Sequence, residues 1–314
     1  MNKLKDKIIL VTGANGFIGA HLIARLIEIA GVKLLLLSRQ DKQSIQQNVV
    51  WLKGDLALLT PGYWRSHDID HIDYVFHLGA FIPKTSVEAN QINRVVEDNI
   101  SATRALLQSL PECLDKLIFS STVDVYSQPE NGEVLTESSS VAPITLYGAS
   151  KLFCEKLISA WAKEKGCDYA ILRYGHIYGP GEEQYGKLIP VIIRTLLASK
   201  APVIYGYGSA LRDYLYVGDA IEATLRAGLV EGSVGPINIV RGESVSLKEI
   251  AQLLIRLAGN DIQTDFLHDK PNGISLRFDN RLMIKALGKW PLTSLEEGLA
   301  REVDAFRMEK DGQK

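Results

Sequence analysis

Cysteine is scarce in this chain and charge of one sign is not in excess, and each lack removes a class of function. Cys113, Cys154 and Cys167 are three in number and scattered, so they offer neither metal-ligand spacing nor the even count of a disulfide framework. A reducing compartment suits them. No long apolar run is present: the stretch from Leu22 to Leu37 is interrupted by Arg25, Glu28 and Lys33 and cannot span a bilayer. The opening Met-Asn-Lys-Leu-Lys-Asp-Lys leads straight into an apolar strand pattern without a signal peptide's apolar core, so a cytoplasmic location is expected. The formal net charge of −2 gives no electrostatic footprint for nucleic acid or an anionic membrane. Repeats and low-complexity runs are also missing. The expected partners are small molecules and a second copy of the chain.

What is present has the balance of a globular protein, with 46% hydrophobic and 23% charged residues, values at which disorder is not expected. At 314 residues the chain is long for one core and suggests a large domain with a smaller companion. Lys7 to Thr12 is a short β-branched apolar run, as in a strand buried on both faces of a parallel sheet. Gly13, Gly16 and Gly19 follow at once, and then the helical pattern Leu22, Ile23, Leu26, Ile27. Such glycines permit a tight turn, close backbone approach to a pyrophosphate, and close packing of helix on strand. Gly13, Asn15, Gly16, Phe17, Ile18 and Gly19 are therefore candidates for binding a dinucleotide.

A second strand, Lys33 to Leu37, ends in Ser38-Arg39. A carboxylate at this place would serve the ribose hydroxyl of NAD; a hydroxyl and a guanidinium suit the 2′-phosphate of NADP. Asp41 lies close by and keeps NAD open. Val49 to Leu52 reads as the third strand, with Asp55 and Leu56 in the turn flanking the adenine. Tyr74 to Leu78 reads as the fourth, after which Gly79 and Ala80 let the backbone approach the cofactor. A helix is expected from Asn90 to Leu110, stopped by Pro111, and a fifth strand over Lys116 to Phe119. Tyr147 and Lys151 stand four residues apart at a helix start, on one face. A phenol with an ordinary pKa near ~10 is a poor base, and a neighbouring ammonium would move it toward the working range.

Gly13-x-x-Gly16-x-x-Gly19, His77-Leu78-Gly79-Ala80, Ser121-Thr122, Tyr147-x-x-x-Lys151 and Arg212-Asp213-Tyr214-Leu215-Tyr216-Val217 stand in the order and at the spacing of one family. In these motifs the chain resembles the extended short-chain dehydrogenases/reductases, which include nucleotide-sugar epimerases, dehydratases and 4-keto reductases. The resemblance covers nearly the whole chain. It implies a doubly wound parallel α/β sheet of the Rossmann type, comprising residues 1–174 and 214–240. A smaller C-terminal α/β unit of residues 175–213 and 241–314 would bind a nucleotide-diphosphate sugar. A homodimer built on the helices Asn90 to Leu110 and Tyr147 to Lys165 is the family expectation.

Carried over by residue, the resemblance makes Tyr147 the catalytic acid or base, with Lys151 tuning it and holding the nicotinamide ribose. Thr122 becomes the hydroxyl on the reacting sugar oxygen, and Asn99 a brace of the site or a cofactor neighbour. His176 stands where the family usually has asparagine, so it either meets the substrate or is a buried structural residue. Tyr205 would lie near the nucleotide base and Arg212 on the diphosphate, a task a guanidinium fork suits. Lys270 and Arg277 are further phosphate candidates, with solvated loop charges as the alternative.

The family's dehydratases carry an Asp-Glu pair after the threonine; here Val123 and Asp124 stand there, so dehydration is disfavoured. Asp124 falls where epimerase-reductases keep a proton-transfer residue, and Tyr185, after Gly181-Glu182-Glu183-Gln184, falls near the second. Asp124 could equally cap a loop. The leading expectation is NADPH-dependent reduction of a 4-keto-6-deoxy nucleotide sugar, with or without epimerisation. The alternatives are a redox-neutral 4-epimerase holding NAD, and an NADP-sensing regulator without turnover.

Overall fold

The β-branched run Ile8–Thr12 (β1) becomes a central strand of a seven-stranded sheet because both of its faces can be covered by apolar side chains. This is a computed structural model, and it describes residues 2–44, 46–112, 114–130, 132–183, 185–259 and 261–312. Cys113 and Gln184 lie outside the described residues.

After β1 the chain forms α1 (Phe17–Ile27), β2 (Lys33–Ser38), β3 (Val49–Lys53) and β4 (Tyr74–His77). Next come α2 (Ser86–Ala89) and α3 (Ile92–Val95), which runs through a π-helical turn, Val96–Ser101, into α4 (Ala102–Ser109). β5 (Lys116–Thr122), α5 (Leu146–Lys165) and β6 (Asp168–Tyr174) complete the first half. The second half holds β7 (His176–Tyr178), α6 (Leu188–Leu197), β8 (Val203–Tyr205), β9 (Leu211–Tyr216), α7 (Val217–Leu229) and β10 (Val234–Ile239). It closes with β11 (Ser244–Ser246), α8 (Leu247–Ala258), β12 (Asp265–Leu267), α9 (Arg281–Leu287) and α10 (Leu295–Gly312).

The large sheet is parallel throughout, in the order β10-β6-β5-β4-β1-β2-β3. Leu10 pairs with Leu35 on one side and Val75 on the other. The strand order reverses between β1 and β4, which opens a crevice at the carboxyl ends of these strands. One core lies on each face: Ile9, Val11, Leu22, Leu26, Phe76 and Leu172 on the first, Leu10, Leu35, Val75, Leu106, Leu117 and Ile158 on the second. Each such side chain contributes roughly 1.5–3 kcal/mol on burial.

The smaller layer is built from β7, β9 and β11, with β8 paired to β12 alongside. Its core joins α6, α8 and α10 through Ile189, Ile193, Ile250, Leu254, Leu299 and Val303. Ser246 caps α8 in a reciprocal box with Glu249, a serine followed three residues on by a glutamate.

Two segments sit across the boundary from where the resemblance put them. Residues 214–216 belong to β9 and pair in the small sheet, because Tyr214 and Leu215 align with His176 and Ile177. Met283 and Leu287 of α9 pack into the large core. The expected helix from Asn90 to Leu110 is also interrupted: Asn90 ends α2, and the π turn lies within the rest. Among the described residues no helix is long and apolar enough to cross a membrane.

Candidate active site

Gly13 is left-handed, with φ +71, and a β-carbon there would lie 2.7 Å from the Gly79 nitrogen. The turn after β1 is thus pressed against the backbone after β4. A β-carbon on Gly19 would lie 2.2 Å from the Gly13 carbonyl oxygen, so α1 also rests directly on the turn. No side chain caps α1, whose first residues are Phe17 and Ile18 after the extended Gly16. The N–H groups of its first turn therefore face the crevice as an anion site, and the cradle fits a dinucleotide pyrophosphate.

Asn15 links this turn to the end of β2: its Nδ2 donates to Ser38 Oγ at 3.1 Å and its Oδ1 accepts from Lys42 Nζ. Arg39 is exposed and has no ion-pair partner among the described residues. Lys42 lies 4.7 Å from the Trp51 ring centre and adds a second cation that the sequence reading missed. Asp55 Oδ1 accepts from Ala57 N at 3.0 Å, capping the short turn that carries Leu56. Leu56 in turn covers Gly79, and Leu78, Gly79 and Ala80 are half-buried beside it.

Below this floor His77 is fully buried between Thr12 Oγ1 at 2.7 Å and Thr103 Oγ1 at 2.9 Å. Burial, with Lys151 adding to it, pushes its pKa down to about 3 and keeps the ring neutral. Asn99 is buried in the π turn, and its three polar contacts are accounted for. Its Oδ1 accepts from Phe81 N at 2.7 Å, and its Nδ2 donates to Phe81 O at 3.2 Å and Ser150 Oγ at 3.0 Å. It pins the loop after β4 to α5. A brace is what the geometry supports.

Thr122 ends β5, and its Oγ1 accepts from Asp124 N at 3.2 Å and lies beside the Tyr147 phenol. Thr145 caps α5 through Gly148 N, and a β-carbon on Gly148 would lie 2.2 Å from the Asp124 carbonyl oxygen. The missing side chain lets the first turn of α5 close on the end of β5, which brings Tyr147 to Thr122. As a whole residue Tyr147 is half-buried, with its hydroxyl end packed inward.

The expected lowering of the Tyr147 pKa by Lys151 is not met. Burial raises it, the Asp124 carboxylate raises it further, and only the Thr122 hydroxyl acts in the other direction. The physical reason is where the ammonium sits. Lys151 is 2% exposed, its Nζ lies 4.4 Å from the Phe119 ring centre, and burial pushes its pKa down to about 8 against Cys154 and Glu155. Asp124 itself reaches solvent in the cleft, yet the protein around it raises its carboxyl above the ordinary range. Behind the triplet, Glu155 takes Arg173 in a fork at 2.9 and 2.8 Å and accepts from Ser121 at 2.5 Å.

On the opposite wall His176 is half-buried beside the Asp213 backbone, and pushed down to about 4 by burial and by Arg212 and Lys187. Its Nδ1 is buried without a partner among the described residues. Arg212 is anchored by Nη1 to Leu211 O at 2.8 Å and Ile274 O at 2.5 Å. Asp213, fully buried, accepts from Arg241 N and Gly242 N, both at 2.8 Å.

Tyr185 lies between two ammonium groups, Lys84 at 5.0 Å and Lys187 at 5.4 Å from its ring centre. Neither lysine was singled out from sequence, because nothing local marks them. Tyr205 is 64% exposed. Lys270 is exposed and lies 3.9 Å from its neighbour Asp269, as a solvated loop charge would. Arg277, also exposed, is held by its carbonyl to Leu135 N, next to Phe278 in the cluster containing Val123 and Val125. The structure therefore separates the two: Arg277 flanks the end of β5, whereas Lys270 belongs to the turn after β12.

A family model described as the NAD dependent epimerase/dehydratase family matches residues 9–239. The chain is 30% identical over 315 residues to a putative UDP-glucose 4-epimerase of Methanocaldococcus jannaschii, covering 95% of this chain and 97% of that one. It resembles a solved UDP-N-acetylglucosamine 4-epimerase of Methanobrevibacter ruminantium, in complex with UDP-N-acetylmuramic acid, with a TM-score of 0.84 at 28% identity, over 97% of this chain and 99% of that one. A UDP-glucuronic acid 4-epimerase of Bacillus cereus, in complex with UDP-glucuronic acid and NAD, is similar with a TM-score of 0.81 at 27% identity, over 96% and 99%.

Proposed function

The chain belongs to the NAD dependent epimerase/dehydratase family, and from that membership we propose that it is a redox-neutral 4-epimerase of a UDP-type nucleotide sugar that keeps NAD bound. The observation that carries the reading is the packing of the Tyr147 phenol beside Thr122 and Asp124 at the carboxyl end of β5, with Lys151 one turn further along α5 and the Gly13 turn pressed against the backbone after β4. The similar proteins named as 4-epimerases favour it over the reductase expected from the sequence.

The Gly13–Gly19 turn would hold the pyrophosphate, Asp55 and Leu56 the adenine side, and Lys151 the nicotinamide ribose. Bound oxidised nicotinamide supplies the hydride acceptor and a positive charge. Thr122 orients the sugar hydroxyl at C4, and Tyr147 takes its proton and later returns it once the keto sugar has presented its other face. Burial and Asp124 keep the phenol protonated, so accepting a proton requires a cation brought close to it. His176 and Arg212 face the diphosphate side, and Tyr205 the base. A homodimer through α3–α5 fits their exposed apolar residues Ile92, Val96 and Phe153. The free thiols Cys154 and Cys167 suit a reducing, cytoplasmic setting.

A second reading has its own support. Arg39 and Lys42 at the end of β2 suit a 2′-phosphate, and with it NADPH-dependent reduction of a 4-keto-6-deoxy sugar. One experiment separates the two. The dinucleotide released from purified protein is identified by mass, and UDP-glucose is assayed for conversion to UDP-galactose with no added cofactor. Retained NAD with interconversion is the expected result, and Tyr147→Phe should cut it by about 10²–10⁴-fold with the cofactor kept. NADPH consumption without interconversion of any UDP-sugar would sink the epimerase reading.

A further inference from the structure

Two glutamates outside the catalytic group are buried with a single ammonium between them. Glu182, in the loop after β7, is 1% exposed, and Glu302, within α10, is 0% exposed. Glu182 Oε2 accepts from Lys187 Nζ at 2.7 Å, and Lys187 also donates to Ile177 O at 3.3 Å. Both carboxyl oxygens of Glu302 are buried without a donor among the described residues. They face the Glu182 carboxyl.

The surroundings offer little to neutralise a second carboxylate. Tyr178 of β7 and Tyr214 of β9 face the pair, and the loop itself brings Glu183 and Lys187. From α6 and α8 the buried neighbours in this core are aliphatic: Ile189, Ile193, Ile250 and Leu254. Arg301, on α10, lies over the Tyr216 ring and pairs with Glu297 at the surface. Two carboxylates and one ammonium would leave a buried negative charge, whereas one proton between the carboxyls removes it and turns an orphaned contact into a hydrogen bond. Burial raises the pKa of both glutamates, and each carboxylate raises the cost of ionising Glu302.

Lys187 gives this arrangement its consequence. Its Nζ lies 5.4 Å from the ring centre of Phe17, the first residue of α1, and 5.4 Å from that of Tyr185. It stands where the loop of the small layer meets the phosphate end of the large one, an approach also fastened by His21 Nε2 and Pro180 O at 2.7 Å.

We propose that Glu182 and Glu302 share one proton and together act as a positioning pair for Lys187, so that the nucleotide-sugar side of the cleft is assembled only while that proton is held. The role assigned to Lys187 rests on the nucleotide-sugar reading above. Loss of the proton would place two facing carboxylates between α10 and the loop and push the loop outward.

The test measures binding of UDP by calorimetry at neutral and at alkaline pH, for the whole chain and for Glu302→Gln, whose amide mimics the protonated acid. For the unaltered protein, UDP affinity should fall about tenfold or more on going alkaline. Glu302→Gln should bind UDP equally well at both pH values. The infrared band of a protonated carboxyl should be present at neutral pH and be lost in the variant, a reading that needs no ligand. An identical alkaline loss in Glu302→Gln would overturn the proposal, as would absence of the band. Failure to bind UDP at any pH with the band present would instead overturn the nucleotide-sugar reading, and with it the role given to Lys187.

Discussion

Lys151 shows how a single residue trades stability for chemistry. Burial holds its pKa at about 8 against an ordinary 10.5, so below about pH 8 the folded chain carries a charge that the unfolded chain solvates better. The shift corresponds to about 3 kcal/mol of lost stability at neutral pH. Because the folded-state pKa lies below the unfolded one, the unfolded chain binds more protons between about 8 and 10.5, and stability rises with pH across that window. Lys151→Met is therefore expected to raise the melting temperature at neutral pH while ending turnover, and the gain should shrink as the pH approaches the upper end. Thermal unfolding followed across the alkaline range checks this. A variant that is less stable at neutral pH would show that the ammonium is compensated by partners, not merely buried.

At the scale of elements, the site depends on three backbone segments held at fixed spacing. Asn99 ties the loop after β4 to α5, using Phe81 N, Phe81 O and Ser150 Oγ. The π turn makes this reach available: six residues, Val96–Ser101, widen the helix where the side chain must turn inward. Asn99→Ala leaves an N–H and a carbonyl buried without partners, at a cost of roughly 2–4 kcal/mol. The expected result is a lower denaturation midpoint together with a fall in kcat larger than any change in cofactor affinity, because α5 and the loop no longer share one position. Hydrogen exchange at the Phe81 amide should accelerate in parallel. A stability loss with unchanged kcat would make Asn99 a structural residue only.

The whole molecule is a large sheet with a core on each face and a smaller layer with a core of its own, and its outer surface leaves apolar side chains on α3, the π turn and α5: Ile92 is 60%, Val96 42% and Phe153 53% exposed. The homodimer proposed above would cover them. Phe153→Glu should shift the chain from dimer to monomer in sedimentation equilibrium; a monomeric parent would remove that assembly. Much of this plan was legible in the chain itself. The Gly13–Gly19 turn, the Ser246–Glu249 box and the spacing of Tyr147 and Lys151 could all be read directly, because a turn, a cap and a helix face depend on residues only a few positions apart. The boundaries at 214–216 and 281–287 were not legible, since a short strand's partner is chosen by register with distant segments. Nor could sequence find Lys42, Lys84 or Lys187, which acquire their meaning from the rings they rest on. Sequence by itself determined the glycine turn between β1 and α1, the parallel α/β class and the placing of Tyr147 and Lys151 one helical turn apart. Tertiary structure alone decided that the phenol is held protonated, that Asn99 is a brace, and that Glu182 meets Glu302. Ionisation and orphaned contacts are set by burial and by neighbours far away along the chain, and local pattern carries no record of either.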